Sequence, residues 1–274
     1  MGRARARLTM RIVDAHVHVW DARAFPIPWL RDGMGLPAVA SPAEYRAVAE
    51  PCGIVSGVAV QVADSAAEAR WLSAVTHADA VLSRAVLQYE PAPGLALGAT
   101  ADGGAGFSGI RAAVPQRAAD LSDVPGLDEL AAALAASGRV LELLIRPEQL
   151  GGAAALAARH PATPVVICHL GFGFADVTDD WVGGLDVLAE QPNAHAKFSG
   201  LISPTRTDAE LSHLADIAFA SFGPERLMFG SDWPLSARVA DYPRLLDRVR
   251  LAVPDAAGAA FWHGTADRLY GLRA

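Results

Sequence analysis

Residues 11–21 read RIVDAHVHVWD, an apolar, strand-like run that carries two histidines two residues apart. Side chains at positions i and i+2 of a strand point to the same face. His16 and His18 therefore present two imidazoles to one spot, at the spacing that a metal ion or a polarised oxygen requires. The run predicts a first strand that ends in a functional site.

The composition is that of a globular protein with ample core. The chain has 274 residues, is 52% hydrophobic and carries a formal net charge of -7. We expect one domain over residues 11–274, preceded by a disordered tail over residues 1–10. The acidic balance, without a long basic run, argues against nucleic acid or an anionic membrane as partner and favours a small-molecule substrate.

Two further features indicate where the protein works. Only two cysteines occur, Cys52 and Cys168, and they lack the paired spacing of a zinc ribbon or a redox motif. No apolar stretch reaches the roughly 20 residues of a membrane span. Both features favour a reducing, cytoplasmic compartment.

Short β-rich runs alternate with alanine- and leucine-rich helical segments along the whole chain. The predicted strands are 11–18, 55–62, 81–88, 107–113, 139–145, 164–169, 194–199 and 226–231. The predicted helices are 42–50, 64–76, 126–137, 147–159, 181–190, 207–221, 240–251 and 257–270. Eight such units in about 250 residues predict an α/β fold, the (β/α)8 TIM barrel, as a single domain.

The barrel hypothesis places active groups at the carboxyl ends of strands. Polar residues do occur there: His16 and His18 on the first predicted strand, Arg111 on the fourth, His169 on the sixth and Asp232 after the eighth. A lone histidine such as His169 is often a hydrogen-bonded structural residue. Burying this whole set unpaired would cost several kcal/mol, which favours one shared site. In a closed barrel the eighth strand neighbours the first, so Asp232 can reach the histidine pair.

The chain resembles a known protein family. Seven segments match in family order: 14–21 (DAHVHVWD), 25–30 (FPIPWL), 109–111 (GIR), 145–150 (IRPEQL), 169–171 (HLG), 197–201 (KFSGL) and 226–234 (RLMFGSDWP). They are similar to the lactonase branch of the amidohydrolase superfamily, often called amidohydrolase-related or amidohydrolase 2. That branch includes fuconolactonase-like, sulfomuconolactonase-like and 2-pyrone-4,6-dicarboxylate lactonase-like enzymes.

The resemblance implies a hydrolase that opens a lactone with activated water. In a metal-dependent version, His16, His18, His169 and Asp232 surround a divalent ion, zinc or alternatively manganese, and Asp232 is the general base. In a metal-independent version, the three histidines donate hydrogen bonds to the carbonyl oxygen, while Asp232 activates water directly. Asp232 and His169 are the predicted catalytic residues in either case.

Other residues are candidates for binding substrate. Arg111 is suited to a substrate carboxylate or hydroxyl, with a structural salt bridge as its alternative. Arg146 is a second candidate, and Trp20 would form an apolar wall. Lys197 points inward on the seventh predicted strand and needs an acid, which Asp14 or Glu142 would supply. Glu142 as a metal ligand stays open.

Departures from the sugar-lactonase pattern bear on the substrate. Ala112 and Ala113 follow Arg111 where a histidine is common, and apolar residues 172–175 follow the 169–171 segment. A less polar or aromatic-derived lactone becomes more plausible. Two other functions remain open: a metal-dependent decarboxylase of an aromatic or unsaturated acid, and a barrel that serves only for binding. A homodimer is also open.

Overall fold

The computed structural model describes residues 10–89, 107–172 and 176–272. Of the predicted tail, only Met10 lies within these residues. The Gly- and Pro-rich segment 91–106 and the apolar residues 173–175 lie outside them.

Ten strands are described, eight of which form one parallel sheet. They are β1 (Ile12–Val17), β2 (Trp20–Asp21), β3 (Val39–Ala40), β4 (Ile54–Val60), β5 (Leu82–Gln88), β6 (Phe107–Ala113), β7 (Val140–Leu144), β8 (Val165–Ile167), β9 (Ala194–Phe198) and β10 (Leu227–Phe229). The sheet order is β1-β4-β5-β6-β7-β8-β9-β10, which follows the chain without a reversal. Each predicted strand is present, and the TIM-barrel prediction is confirmed. The antiparallel pair β2–β3 was not predicted.

The barrel closes through the residues that follow β10. Val17 forms a parallel bridge with Trp233. The backbone N–H of Asp232 donates to the carbonyl of His16 at 2.8 Å, and the N–H of His18 donates to the carbonyl of Trp233 at 2.7 Å. These bonds place Asp232 beside the two histidines of the first strand.

Eight α-helices are described outside the sheet. They are α1 (Pro42–Ala49), α2 (Ala66–Ala78), α3 (Leu127–Ala136), α4 (Leu150–Arg159), α5 (Asp179–Ala189), α6 (Asp208–Phe222), α7 (Tyr242–Ala252) and α8 (Thr265–Tyr270). The local sequence determines where two of these helices begin. Ser41 with Glu44 forms a capping box at the start of α1, and Thr207 with Glu210 forms one at the start of α6. The helix predicted at 257–270 is broken, because a π-helical turn, Ala260–Gly264, precedes the short α8. None of the helices described here is long and apolar enough to span a bilayer.

The core has two parts. The larger part lies between the strands and the helices. The smaller part fills the barrel interior with mostly small or β-branched side chains from six of the eight strands, together with Tyr270 of α8. It includes Val13, Ala15, Val58, Val60, Val86, Val140, Val166 and Met228. This packed interior supports the site at the carboxyl ends of the strands.

Candidate active site

Three side chains from the two ends of the chain meet at the mouth of the barrel. His16 Nε2 lies 3.2 Å from His18 Nε2. Asp232 Oδ1 lies 3.7 Å from His16 Nε2 and 3.4 Å from His18 Nε2. The adjacency predicted from barrel closure is therefore present, and all three residues are buried.

The ring of His18 is oriented by the next strand. Its Nδ1 lies 2.7 Å from the carbonyl oxygen of Val60, the last residue of β4. A carbonyl can only accept, so His18 Nδ1 carries a proton and donates. This bond fixes the ring so that Nε2 faces Asp232.

His169 reaches the same place by an irregular backbone. β8 ends at Ile167, and His169 has a φ of 54°, in the left-handed region. This conformation brings its ring to 4.6 Å from that of His16, centroid to centroid. His169 Nδ1 lies 2.9 Å from Ser199 Oγ. Gly200 is required beside it, because a Cβ there would lie 2.5 Å from His169 Nδ1.

Asp232 is held in a similarly unusual conformation, with a φ of 57°. Its Oδ1 atom is buried and has no hydrogen-bond partner among the described residues. Burial raises the pKa of this carboxyl, but His169 and His18 more than offset that effect, so the pKa lies below its ordinary value. Asp232 is thus an ionised carboxylate with one oxygen left for a water or a cation.

Two of the three histidines, His16 and His169, have lowered pKa values and are neutral at neutral pH. Burial, with a further contribution from the charge of Lys197, lowers the pKa of His16 well below its ordinary value. Burial also lowers the pKa of His169, although the charge of Asp232 opposes the shift. Neutral imidazoles can either ligate a metal or donate one hydrogen bond each.

Lys197 lies beneath the histidines and is fully buried. Its Nζ donates to Glu142 Oε1 at 2.6 Å, so Glu142 and not Asp14 is its acid. Asp14 faces the helices instead: its Oδ2 accepts from the hydroxyls of Tyr45 of α1 and Tyr242 of α7. The reason is a shift of the β1–β4 register between Asp14 and Val17, which breaks the simple alternation.

The two arginines predicted to bind substrate, Arg111 and Arg146, lie in different environments. Arg111 is buried, and its guanidinium donates to Gln88 Oε1 at 3.2 Å and to the Gln61 carbonyl at 2.7 Å. Its charge helps to lower the pKa of Asp232, after the larger lowering contributions of His169 and His18 and against the raising effect of burial. Arg146 is exposed and pairs with Glu148 at 3.2 Å. The structure thus directs Arg111, but not Arg146, toward the site.

The predicted apolar walls are largely part of the core. Trp20 is buried, donates from Nε1 to the Pro37 carbonyl at 3.0 Å and packs edge to face on Trp29. Phe172, the one described aromatic of the 172–175 segment, is buried against Trp181. Both rings are packed within the core.

A cavity of about 300 Å³ adjoins the site. Asp232 and Ser199 are among its lining residues, so it opens beside the catalytic candidates. Most of its wall is apolar: Phe198, Leu201, Leu235, Val239, Leu245 and Val249. Sequence reasoning did not find it, because these residues come from the end of β9, two loops and α7, which only the fold brings together.

The donor set suits a divalent cation. Ligand atoms of His16, His169 and Asp232 all lie within 4.8 Å of one another. The unpartnered Asp232 Oδ1 lies 3.4 Å from His18 Nε2. Three nitrogen and oxygen ligands with an open position are typical of catalytic zinc sites. His16 is the exception. A histidine that binds a metal through one ring nitrogen usually donates its other N–H to an acceptor. The neighbour of His16 Nδ1 is instead Lys197 Nζ, a donor, at 3.3 Å.

Comparison with known proteins gives consistent results. A family model described as amidohydrolase matches residues 13–272. A protein of Burkholderia multivorans described as an L-fucono-1,5-lactonase is 31% identical, covering 95% of this chain and 96% of its own length. A crystal structure of an amidohydrolase from Burkholderia multivorans with bound zinc superposes with a TM-score of 0.85 at 30% identity, over 96% of this chain and 100% of that one.

A more distant structure shows the same fold. It comes from Pseudomonas putida and is described as a 2-pyrone-4,6-dicarboxylic acid hydrolase. The TM-score is 0.75 at 21% identity, over 97% of this chain and 100% of that chain.

Proposed function

Because this chain belongs to the amidohydrolase family, we propose that it hydrolyses the ring ester of a small lactone with an activated water. One observation carries the proposal: the unpartnered oxygen of Asp232 faces His18 Nε2 and His16 Nε2 at 3.4 and 3.7 Å. This arrangement puts a base next to groups that can stabilise an oxyanion. The relationship to an L-fucono-1,5-lactonase supports the same reaction class.

Asp232 is the proposed general base. Its ionised carboxylate accepts the proton of a water as the oxygen of that water attacks the lactone carbonyl. The same carboxyl then returns the proton to the ring oxygen when the carbon–oxygen bond breaks. The products are a hydroxyl and a carboxylic acid on the same molecule, and the acid ionises by releasing its proton to solvent.

The developing negative charge on the carbonyl oxygen needs donors or a cation. The neutral imidazoles of His16 and His169 can supply N–H donors in a buried site without reorganisation, whereas the Nδ1–H of His18 is already bonded to the Val60 carbonyl. A divalent ion held by His16, His169 and Asp232, with His18 beside them, would act as a Lewis acid and lower the pKa of bound water. Zinc fits the nature of these ligands, with manganese as an alternative. The zinc in the related Burkholderia multivorans structure supports this choice.

The surroundings indicate the kind of lactone. Arg111 offers a guanidinium to a carboxylate or hydroxyl of the substrate. The adjoining cavity, lined by residues such as Leu235 and Val239, would accept an apolar substituent. We therefore favour a lactone that carries both an acidic or hydroxyl group and an apolar group over a fully hydroxylated sugar lactone.

Proton release from a panel of lactones tests the proposal. The panel includes sugar lactones, muconolactone-type and pyrone-type compounds, each assayed with and without chelator and with the Asp232→Asn variant. We expect turnover that falls about 1,000-fold in the variant, as loss of a general base predicts. No turnover of any lactone, with carbon dioxide released from an aromatic or unsaturated acid, would replace the lactonase with a decarboxylase.

A further inference from the structure

Arg111 is a buried cation that is held by neutral groups. It is 7% exposed, and within the described ranges its guanidinium forms no ion pair with an aspartate or a glutamate. It donates from Nε to Gln88 Oε1 at 3.2 Å and from Nη2 to the Gln61 carbonyl at 2.7 Å. A guanidinium keeps its charge in a protein. The fold therefore orients this positive charge without neutralising it.

The two oxygens that hold Arg111 are tied to each other. Gln61 directly follows β4, and Gln88 is the last residue of β5. Gln61 Oε1 accepts from the backbone N–H of Gln88 at 2.8 Å, and the backbone N–H of Gln61 donates to the Val86 carbonyl at 2.9 Å. Gln88 also pairs in register with Arg111 of β6. Neither oxygen can move without breaking these bonds.

The amide of Gln61 is fixed by donors on one side and acceptors on the other. Its Nε2 donates to the carbonyls of Ala63 at 2.6 Å and of Ser65 at 3.0 Å. Glu68 of α2 accepts from the backbone N–H of Ala63 at 2.7 Å. The turn between β4 and α2 is thus held by two buried side chains, and the direction of the Gln61 carbonyl is set with it.

The same strand end connects Arg111 with the reacting centre. The carbonyl of Val60 accepts from His18 Nδ1 at 2.7 Å, and the next carbonyl along the chain, that of Gln61, accepts from Arg111 at 2.7 Å. His18 follows β1, which neighbours β4 on one side, while Arg111 lies on β6 beyond the other side. Two consecutive carbonyls therefore fix the separation of the site histidine and the guanidinium.

We propose that Gln88 is a positioning residue, which with the Gln61 carbonyl aims the guanidinium of Arg111 through neutral oxygens and leaves its charge for an acidic group of the lactone. A glutamate at position 88 would orient Arg111 equally well but would compete with that acidic group. The guanidinium N–H groups that do not bond Gln61 or Gln88 receive the acid. The acid-binding part of this inference rests on the proposed function, whereas the orientation of Arg111 does not.

The kinetics of Gln88→Glu test whether the neutral oxygen matters. We compare a lactone that carries a carboxylate with the methyl ester of the same compound. Gln88→Glu should raise KM for the acid about 10-fold, as loss of roughly 1.4 kcal/mol of binding predicts, and change KM for the ester less than about 3-fold. A purely structural Gln88 predicts equal changes for the two compounds or none, and either result would overturn the proposal.

A matched control is Gln191→Glu. Gln191 is half-buried like Gln88 but lies before β9, at the opposite end of the strands. This variant should leave both KM values close to wild type. If it raises KM for the acid as much as Gln88→Glu does, general charge repulsion explains the effect and the proposal fails.

Nitrogen-15 NMR of the Arg111 Nε–H tests the orientation without substrate. We assign its signal by its loss in Arg111→Gln. The wild type and Gln88→Glu should show slow exchange of this proton with water, and Gln88→Met should exchange it about 10-fold faster because the acceptor is lost. Fast exchange in the wild type, or no acceleration in Gln88→Met, would overturn the orienting role.

The two measurements separate the two proposals. Gln88 is half-buried and its side chain bonds only Arg111 among the described residues, so its variants are expected to fold. Should they fail to fold, the wild-type exchange rate still decides the orienting role. Absence of turnover with every lactone would refute the proposed function, and the NMR comparison would still test the placement of Arg111.

Discussion

The carboxylate of Asp14 accepts a hydrogen bond from the backbone N–H of Ser231 at 2.8 Å, across the closure of the barrel. The same oxygen accepts from the backbone N–H of His16 at 3.2 Å. One buried side chain therefore ties the strand that carries the histidines to the loop that carries Asp232. Its other oxygen is satisfied by Tyr45 and Tyr242.

Replacing Asp14 should disturb both stability and catalysis. In Asp14→Asn an amide NH₂ replaces one carboxylate oxygen and faces N–H or O–H groups that donate to Asp14 in the wild type. We expect this mismatch to lower the free energy of unfolding by about 1–3 kcal/mol. The kcat should fall because the loop bearing Asp232 shifts. Urea denaturation and lactone turnover measure the two effects. Tyr242→Phe, which removes one donor, should have a smaller effect on both, and wild-type behaviour of Asp14→Asn would contradict this role.

Arg111 and Arg146 provide a matched pair. Arg111→Gln should raise KM for a lactone bearing a carboxylate by about 10-fold or more, since a charge-assisted hydrogen bond is lost. Arg146→Gln should leave KM and kcat close to wild type, because Arg146 is exposed and pairs only weakly with Glu148. Steady-state measurement of KM and kcat for the wild type and both variants tests this prediction. An equal KM increase in both variants would move the substrate site toward the loop that carries Arg146.

The adjoining cavity predicts a preference for apolar substituents. Val239→Trp should fill part of its roughly 300 Å³ and raise KM for alkyl- or aryl-substituted lactones, with little change for an unsubstituted ring. The same substitution at Val187, which is 47% exposed, is the control for adding an indole. Uniform KM values for substituted and unsubstituted lactones in all three proteins would show that the cavity does not receive substrate.

Glu68 predicts how stability depends on pH. It is fully buried, Oε2 accepts from the N–H of Ala63 at 2.7 Å, and Oε1 has no partner among the described residues. Burial, opposed by the Ala63 bond, raises the pKa of Glu68 from 4.5 to about 7. Because the folded state binds this proton more tightly, its stabilising effect is complete below pH 4.5 and is lost as the pH rises to about 7.

The Glu68→Gln variant isolates this contribution. Between pH 4.5 and 8 the wild type should lose up to about 3 kcal/mol relative to the variant, from the size of the pKa shift. Urea unfolding of both proteins at several pH values gives the difference. A constant difference across this range would mean that the Glu68 pKa is the same in the folded and unfolded states.

The barrel and the identity of the central residues could be predicted from the sequence because both depend on short-range patterns. Strand and helix periodicity are visible within a few residues, and eight alternating units match one architecture. The placement of His16, His18 and Asp232 follows from where the predicted strands end and from the adjacency of the first and last strands. This placement can be inferred without knowing which residues hydrogen-bond to these side chains.

The tertiary structure decided what depends on partners far apart in the chain. The pairing of Lys197 with Glu142 joins β9 to β7, and the contact of Lys197 with His16 spans 181 positions. Local pattern placed Asp14 and His16 on one face, but the register shift in β1 separates them. Likewise Arg111 and Arg146 each occur near the end of a predicted strand, and only the fold turns one toward the site and the other to solvent. Hydrogen-bond partners, and with them protonation and orientation, are set by the closed barrel.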